Sequence, residues 1–208
     1  MITTKVAICI GIRNRSKQLL SIFLPSLNKC VNRNIIALSI VDCHSDDIPN
    51  LKVEIEKIWK GTLYYTKSEK PFTRSSSTND AVKQCKEEKV FLCDADMQLP
   101  ANFMQLVTDR IKSNMTWFPI CFSLLVNRPA VINKSNGRWR KLGFGMCGVW
   151  KSKFLKMGGY NETFKSWGGE DTHFYKSSTG TIIRTNCEGL FHHWHPDDMD
   201  YKNKWYNT

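Results

Sequence analysis

Short apolar runs alternate with segments of helical spacing through the first half of this chain, and the alternation restricts the possible folds more than the composition does. Residues 5–12 form a continuous apolar run, which is typical of a strand buried on both faces. Residues 13–30 follow with apolar side chains three and four positions apart, the pattern of one helical face. The same two patterns predict strands at 35–43, 62–67 and 90–97 and helices at 51–60 and 75–88. Repeated strand, helix, strand units predict an α/β domain with a mainly parallel central sheet flanked by helices.

The second half of the chain is less regular. A helix is predicted at 99–113, strands at 116–126 and 179–186, and short helices at 151–160 and 168–178. Residues 127–145 are basic, polar and punctuated by glycine, so we expect a mobile loop there. Because the chain has 208 residues, no internal repeat and no low-complexity linker, a single domain spanning residues 1–208 is predicted.

Basic side chains outnumber acidic ones by 30 to 19, which gives a formal net charge of +11. Three classes of partner suit this charge: nucleic acid, an anionic membrane surface and an anionic small substrate. The lysines and arginines are spread along the chain without a basic tail, a zinc finger or an RNP motif, and this disfavours nucleic acid. No apolar run is long enough to span a bilayer, and the N-terminus lacks the pattern of a signal peptide.

The eight cysteines are distributed without a CxxC pair. Cys9 and Cys93 lie inside apolar runs, where a free thiol packs as a small apolar side chain. A disulfide framework is the weaker interpretation because the chain shows no export signal. We therefore expect reduced thiols and a cytoplasmic protein.

Asp94 and Asp96 follow the predicted strand at its carboxyl end, separated by one small residue. In parallel sheets, ligands bind beyond the carboxyl ends of the strands. Two carboxylates at that position can hold a hard divalent cation, which in turn can bridge the phosphates of a nucleotide diphosphate. A solvated turn produces the same Asp-x-Asp pattern, so this pair alone leaves both interpretations open.

Three of the five histidines fall within the segment GLFHHWHP at 189–196. Imidazole is a good ligand for manganese, iron or zinc. His192 and His193 would diverge on a strand, so only one of these two can join a given site. A histidine together with Asp96 would form a mixed oxygen and nitrogen site, whereas a surface patch or aromatic packing around Trp194 is the alternative.

The segment SWGGED at 166–171 places two glycines before two acidic residues. Glycine allows the backbone to approach a ligand closely. Glu170 and Asp171 stand at the start of a predicted helix, where negative charge is favoured. A carboxylate there can accept the proton of an attacking hydroxyl group, although an ordinary acidic helix start gives the same pattern.

Basic and polar residues follow the other predicted strands. Arg13 and Arg15 come after the first strand, Asp42 after the second, and Arg74 lies before the helix at 75–88. Arginine binds phosphate or stacks on a base, and aspartate can bind ribose or a base N–H. Each is individually more often a surface residue, but their common position beyond strand ends favours a nucleotide site.

Six motifs, in this order, resemble those of the GT-A glycosyltransferases. The chain is similar to the chondroitin N-acetylgalactosaminyltransferase group and, more distantly, to the β-1,4-galactosyltransferases. The resemblance covers nearly the whole chain and rests on these segments: IRNRSKQLLSIFLPSL at 12–27, PFTRSSSTNDAV at 71–82, FLCDADM at 91–97, the stretch at 136–161, SWGGED and GLFHHWHP. It implies a single Rossmann-like nucleotide-binding domain, with residues 1–98 binding the nucleotide-sugar and residues 99–208 binding the acceptor.

The resemblance also implies roles for single residues. Asp96 and His192 would bind Mn²⁺ (or Mg²⁺), with Asp94 near the metal and the ribose. Arg13, Arg15, Asp42 and Arg74 would bind the nucleotide-sugar, and His195 would lie near its diphosphate. Asp171 would be the general base, and Glu170 and Trp167 would contact the acceptor. Thr172 stands where related galactosyltransferases carry a further aspartate, which leaves the acceptor contacts undetermined.

The predicted function is an inverting, Mn²⁺-dependent transfer of a hexosamine, hexose or uronic acid from a UDP-sugar to a hydroxyl group of a glycan. The alternatives are a non-catalytic nucleotide-sugar- or glycan-binding module of the same fold and, less favoured, a nucleic-acid-binding protein. Animal relatives carry a membrane anchor and a stem before the catalytic domain. Because this sequence begins at the catalytic domain, we expect an enzyme without a transmembrane segment that could contact membranes peripherally.

Overall fold

The computed structural model describes residues 5–165 and 168–196. Its strands are β1 Val6–Ile12, β2 Ile36–Asp42, β3 Thr62–Lys67, β4 Lys89–Leu92, β5 Met97–Gln98, β6 Met115–Trp117, β7 Ile120–Leu124, β8 Gly137–Trp139, β9 Cys147–Trp150, β10 Thr181–Ile183 and β11 Asn186–His192. Its helices are α1 Ser16–Gln18, α2 Leu24–Asn28, α3 Leu51–Ile58, α4 Arg74–Gln84, α5 Phe103–Arg110, α6 Lys151–Lys156 and α7 Glu170–Ser177. A π-helical turn, Leu19–Phe23, joins α1 to α2, and a 3-10 turn, Arg33–Ile35, precedes β2.

A seven-stranded sheet with the order β10-β6-β9-β4-β1-β2-β3 forms the centre of the fold. β4, β1, β2 and β3 run parallel, and Val6 of β1 lies between Lys89 of β4 and Ile36 of β2. The predicted α/β fold with a mainly parallel central sheet is therefore confirmed. Because parallel strands end on the same edge, the segments that follow β1, β2 and β4 all leave the sheet at one edge.

The two predicted halves of the chain share this sheet. β9 lies between β4 and β6 and is antiparallel to both. β6 then pairs in parallel with the short strand β10. Three strands that follow residue 98, β6, β9 and β10, thus extend the central sheet.

A second sheet of four strands has the order β5-β11-β7-β8. The sequence pattern predicted one strand at 90–97, and this was wrong: β4 ends at Leu92, and β5 starts at Met97 and pairs with β11 instead. The intervening residues turn because the chain passes from one sheet to the other there. That turn contains both aspartates of the Asp-x-Asp pair.

Several predicted boundaries change for local reasons. The first helix begins at Ser16 rather than at residue 13, because Asn14 has a left-handed φ of 49° and the Ser16 N–H is held by the Asp47 carboxylate (2.8 Å). The predicted helix at 99–113 is limited to Phe103–Arg110. The expected loop at 127–145 contains β8, which forms a hairpin with β7.

Apolar side chains on both faces of the central sheet form the core, as the continuous apolar runs predicted. All eight cysteines are buried and none is in a disulfide. Among the described residues, no helix combines the length and apolar character required to cross a membrane.

Candidate active site

Asp96 lies in the turn between β4 and β5, and the pairing of β5 with β11 brings Met97 opposite His192. The carbonyl of Asp96 accepts a hydrogen bond from the backbone N–H of His193 (3.2 Å). The side chain of His193 lies 2.9 Å, Nε2 to Oε1, from Gln98. Neighbouring side chains on a strand point to opposite faces. His192 therefore points away from His193 and toward the Asp96 side chain.

Three side chains converge there, and we call Asp96, His192 and His195 the Asp96 cluster. Nε2 of His195 lies 2.9 Å from Oδ2 of Asp96, and Nε2 of His192 lies 3.7 Å from the same oxygen. One ligand atom from each residue lies within 4.8 Å of the other two. The structure thus brings together the predicted ligands Asp96 and His192, and it adds His195, for which the resemblance implied a place near the diphosphate.

Further contacts orient the two imidazoles. His192 lies opposite Ser123 of β7, and its Nδ1 is 3.2 Å from the Ser123 hydroxyl oxygen. Nδ1 of His195 is 3.2 Å from the carbonyl oxygen of Pro196. In both rings the contacts at Nδ1 leave Nε2 facing the Asp96 carboxylate. Outer contacts of this kind fix ring orientation in metal sites.

The three side chains of the Asp96 cluster shift one another's pKa values. Burial alone raises the pKa of Asp96, but the hydrogen bond from His195 and the positive charges of His192, His195 and Arg15 outweigh it, so the pKa is lowered. Burial lowers the pKa of His192. The hydrogen bond to Asp96 raises the pKa of His195. These directions favour an ionised Asp96 carboxylate and a neutral His192 imidazole, the protonation states that metal ligands require. They favour the protonated form of His195, whose Nε2 would have to lose its proton to bind a cation.

The other carboxylate oxygen of Asp96, Oδ1, is buried and has no hydrogen-bond partner among the described residues. Leaving a buried acceptor unsatisfied costs about 1–3 kcal/mol. A cation bound to the carboxylate removes that cost. A carboxylate with two imidazoles suits a divalent transition metal such as Mn²⁺, so the residues present fit the predicted cofactor.

Asp94 takes part in a different arrangement, which we call the Arg74 hub: Arg74, Asp94, Gly145 and Glu170. Nε and Nη2 of Arg74 donate to Oδ1 of Asp94 (3.0 and 2.8 Å), and Nη1 donates to Oε1 of Glu170 (3.0 Å). Nη2 also donates to the Gly145 carbonyl (2.6 Å). A Cβ atom at Gly145 would lie 2.8 Å from Nη2 of Arg74, so a larger residue there would displace the guanidinium from its present hydrogen bonds.

Hydrogen bonds within the hub already use side chains for which the sequence predicted contacts with ligands. Most N–H donors of Arg74 are bonded to protein acceptors. The side chain of Glu170 is only 4% exposed, whereas that of Asp94 is 39% exposed. Asp94 therefore keeps an accessible carboxylate edge. Phosphate binding by Arg74 and acceptor binding by Glu170 stay predictions.

Asp171 follows Glu170 in the first turn of α7, after Gly169, whose φ is 97°. Its Oδ2 accepts a hydrogen bond from the backbone N–H of Phe144 (3.2 Å), and its Oδ1 accepts one from the N–H of Thr172 (2.6 Å). The carboxylate is half-buried and held in one orientation by these two donors. Asp171 lies next to the hub, because Glu170 before it bonds to Arg74 and its own partner, Phe144, precedes Gly145.

Arg184, which no sequence motif indicated, fixes the loop that contacts Asp171. Its guanidinium lies 4.2 Å from the ring centre of Phe144, and Phe144 stacks on Tyr175 at 4.1 Å. Nη2 of Arg184 donates to the carbonyls of Gly143 (3.1 Å) and Lys141. This cation–π and hydrogen-bond arrangement holds Phe144 with its N–H directed to Asp171.

Three further predicted residues, Arg13, Arg15 and Asp42, lie at or beyond the carboxyl ends of β1 and β2. Arg13 and Arg15 are half-buried in the turn after β1, and the effect of the Arg15 charge on Asp96 places it near the cluster. Asp42 is 2% exposed, and its carboxylate accepts hydrogen bonds from the Ser45 N–H (2.9 Å) and the Tyr65 hydroxyl (2.7 Å). Trp167 lies outside the described residues.

The sequence profile of one family, chondroitin N-acetylgalactosaminyltransferase, matches residues 4–204. Mouse chondroitin sulfate N-acetylgalactosaminyltransferase 1 is 32% identical over 126 residues, and human chondroitin sulfate N-acetylgalactosaminyltransferase 2 is 34% identical over 127. These matches cover 51% and 52% of this chain, but only 23% of the length of either relative.

Solved structures of TarS from S. aureus share the fold. The complex of TarS 1–349 with UDP-GlcNAc has a TM-score of 0.71 at 15% identity and covers 94% of this chain and 60% of that one. The complex of the same protein with UDP has a TM-score of 0.65 at 16% identity and covers 94% and 62%. The architecture of the chain is thus that of a GT-A glycosyltransferase domain.

Proposed function

This chain belongs to the chondroitin N-acetylgalactosaminyltransferase family, and from that premise we propose that it transfers a sugar from a UDP-sugar to a hydroxyl group of a glycan. The transferred sugar is a hexosamine, a hexose or a uronic acid, and the transfer inverts the anomeric configuration. Mn²⁺, or Mg²⁺ in its place, is the proposed cofactor. The names of the relatives and the UDP and UDP-GlcNAc complexes of TarS support a UDP-sugar donor and make an N-acetylhexosamine the first to test.

One observation carries this proposal: the convergence of Asp96, His192 and His195 at the carboxyl edge of the sheet. The unsatisfied Oδ1 of Asp96 and the orientation of both Nε2 atoms match a cation site. Asp96, His192 and His195 would hold the metal ion, with Asp94 nearby. A divalent cation bound there would neutralise the charge that develops on the departing diphosphate.

Asp171 is the proposed general base. Its carboxylate accepts the proton of the acceptor hydroxyl while that oxygen forms a bond to the anomeric carbon and the bond to UDP breaks. Two properties support this role: the side chain is half-buried, and the Phe144 and Thr172 N–H groups hold it in one orientation. A base held in one position loses little freedom when the acceptor binds.

The donor would lie between the turn after β1 and the Arg74 hub. Arg13 and Arg15 would contact the phosphates or the base. Asp42 would bind the uridine once its carboxylate, which is buried here, becomes accessible. Asp94 would bind the ribose or the sugar through its exposed edge. Trp167 and Glu170 are the proposed acceptor contacts.

The test is a screen of nucleotide-sugars with purified protein, in which UDP or GDP release is measured with Mn²⁺ and with EDTA. UDP release from at least one UDP-sugar that requires Mn²⁺ and increases with a glycan acceptor would support the proposal. A protein that binds UDP in the presence of Mn²⁺ but releases none from any donor is a binding module. Metal-independent, steeply salt-sensitive binding to DNA or RNA would instead identify a nucleic-acid-binding protein.

A further inference from the structure

The loop that joins β7 to β8, residues 125–136, exposes an unusual number of aliphatic side chains. We call this segment the hairpin tip. Leu125, Val126, Val131 and Ile132 are 51%, 48%, 55% and 41% exposed. Exposed aliphatic residues are common singly, but several on one short loop indicate a contact surface.

The hairpin tip also lies in a region without negative charge. No aspartate or glutamate occurs between Asp109 and Glu162. The same stretch carries a series of basic residues: Arg110, Lys112, Arg128, Lys134, Arg138, Arg140, Lys141, Lys151, Lys153 and Lys156. Arg128 and Lys134 belong to the tip itself, and Arg138 is exposed on β8. Basic side chains around exposed aliphatic ones match the headgroup and acyl layers of an anionic bilayer.

Backbone pairing and aromatic packing hold together the strands that carry the tip. Leu124 pairs with Gly137, the Leu125 N–H donates to the Asn136 carbonyl (2.8 Å), and the rings of Phe122 and Trp139 pack edge to face at 5.4 Å. The rings of Phe122 and Trp139 thus pack against each other, whereas the aliphatic side chains of the tip are exposed. The tip is therefore exposed although the strands below it are packed.

We propose that the hairpin tip docks on an anionic lipid surface, with Val131 and Ile132 entering the boundary between headgroups and acyl chains and Arg128 and Lys134 binding the headgroup phosphates. Strand β7, which leads to the tip, also carries Ser123, the contact of His192. Docking through the tip would therefore hold the candidate active site close to the membrane. The proposal does not depend on the transferred sugar or on catalysis.

The aliphatic residues favour a lipid surface over a soluble polyanion. A polyanion needs basic side chains only and gains nothing from four exposed aliphatic groups, whereas a bilayer interface uses both. A second copy of this chain would face the same positive charge on an equivalent tip, and like charges repel.

The experiment measures co-sedimentation of the protein with sucrose-loaded vesicles of phosphatidylcholine, with and without phosphatidylserine. We expect binding to vesicles that contain phosphatidylserine, and weak binding to phosphatidylcholine alone. R128Q/K134Q should reduce the partition coefficient about 25-fold, because each basic residue contributes about fivefold. V131S/I132S should reduce it by about tenfold or more, because two apolar side chains no longer enter the interface.

The matched control is V31S/V53S, which alters two valines of similar exposure, 62% and 49%, elsewhere on the surface. This control should bind vesicles as the unchanged protein does, and all variants should keep its melting temperature. If the melting temperature of V131S/I132S falls, the two single variants replace it.

Three results would overturn the proposal. The first is the absence of binding to phosphatidylserine vesicles. The second is equal vesicle binding by V131S/I132S and the unchanged protein. That result would show that the tip recognises negative charge alone, as a polyanion site does. The third is a dimer in light scattering that V131S/I132S converts to a monomer, which would make the tip an interface between two copies.

Discussion

The Asp96 cluster and the Arg74 hub lie at the same edge of the sheet, but their polar atoms are satisfied to different degrees. In the cluster, Oδ1 of Asp96 is buried without a partner among the described residues. In the hub, Arg74 is bonded to two carboxylates and a backbone carbonyl. The contrast suggests that the hub fixes the positions of its own side chains, whereas the cluster has an oxygen atom left to bind a ligand.

The variant with the largest expected effect on activity tests the Asp96 cluster. Asp96→Ala removes the carboxylate that both imidazoles face, so Mn²⁺-dependent binding of UDP and the transfer reaction should be lost. Calorimetric titration with UDP and Mn²⁺ measures the first, and UDP release measures the second. Saturating Mn²⁺ plus UDP should raise the stability of the unchanged protein by roughly 3 kcal/mol at 100 times Kd, and that of the variant not at all. An unaltered titration would contradict the assignment of Asp96.

The next effect separates binding from catalysis. Asp171→Asn keeps the size of the side chain and its place at the start of α7 but removes the proposed base. Transfer should fall by about 10²- to 10⁴-fold while UDP binding stays unchanged. Steady-state kinetics with a saturating acceptor measures the change. Turnover equal to that of the unchanged protein would remove Asp171 from the role of base.

The third prediction tests the hub as structure. Arg74→Met leaves the buried Glu170 carboxylate without its ion-pair partner, which should lower the free energy of unfolding by about 3–5 kcal/mol. Urea denaturation followed by circular dichroism measures it. Lys52→Met, at a side chain that is 56% exposed, is the control and should change stability by less than about 0.5 kcal/mol. Equal stability of both variants would show that the hub does not hold the fold.

A smaller effect concerns the support of the cluster. Ser123→Ala removes the hydroxyl group beside Nδ1 of His192 without touching a proposed ligand. Affinity for Mn²⁺ should fall by about 10- to 100-fold, as for other outer contacts of metal ligands. Titration of UDP binding against Mn²⁺ concentration measures it, with Ser135→Ala on the hairpin tip as the control. Identical curves for the two variants would contradict the supporting role.

The smallest effect concerns the loop beside the hub. Arg184→Lys keeps the charge but loses the planar group that lies on Phe144 and bonds the loop carbonyls. We expect kcat to fall by about tenfold or less with unchanged UDP affinity, because the N–H of Phe144 no longer holds Asp171 in one orientation. A change in UDP affinity with constant kcat would place Arg184 in donor binding instead.

Local patterns in the sequence predicted much of the fold and part of the site. The buried parallel strands β1 and β2 were predicted within a residue or two, because strands covered on both faces need continuous apolar runs. The motifs suggested that Asp96 meets one histidine of residues 189–196, and the family resemblance implied that this histidine is His192. The break after Leu92 was not predicted, since the apolar run continues through the turn while the chain changes sheets.

The chain's own sequence determined which segments become buried strands and which residue types can bind a cation, because both depend on local composition and spacing. Tertiary structure alone decided that His195 joins the Asp96 cluster, that Asp94 binds Arg74 instead, and that Arg184 holds the loop beside Asp171. These contacts join residues far apart in the chain. The physical reason is that partners are selected by strand pairing and charge in three dimensions, and no period along the sequence encodes that choice.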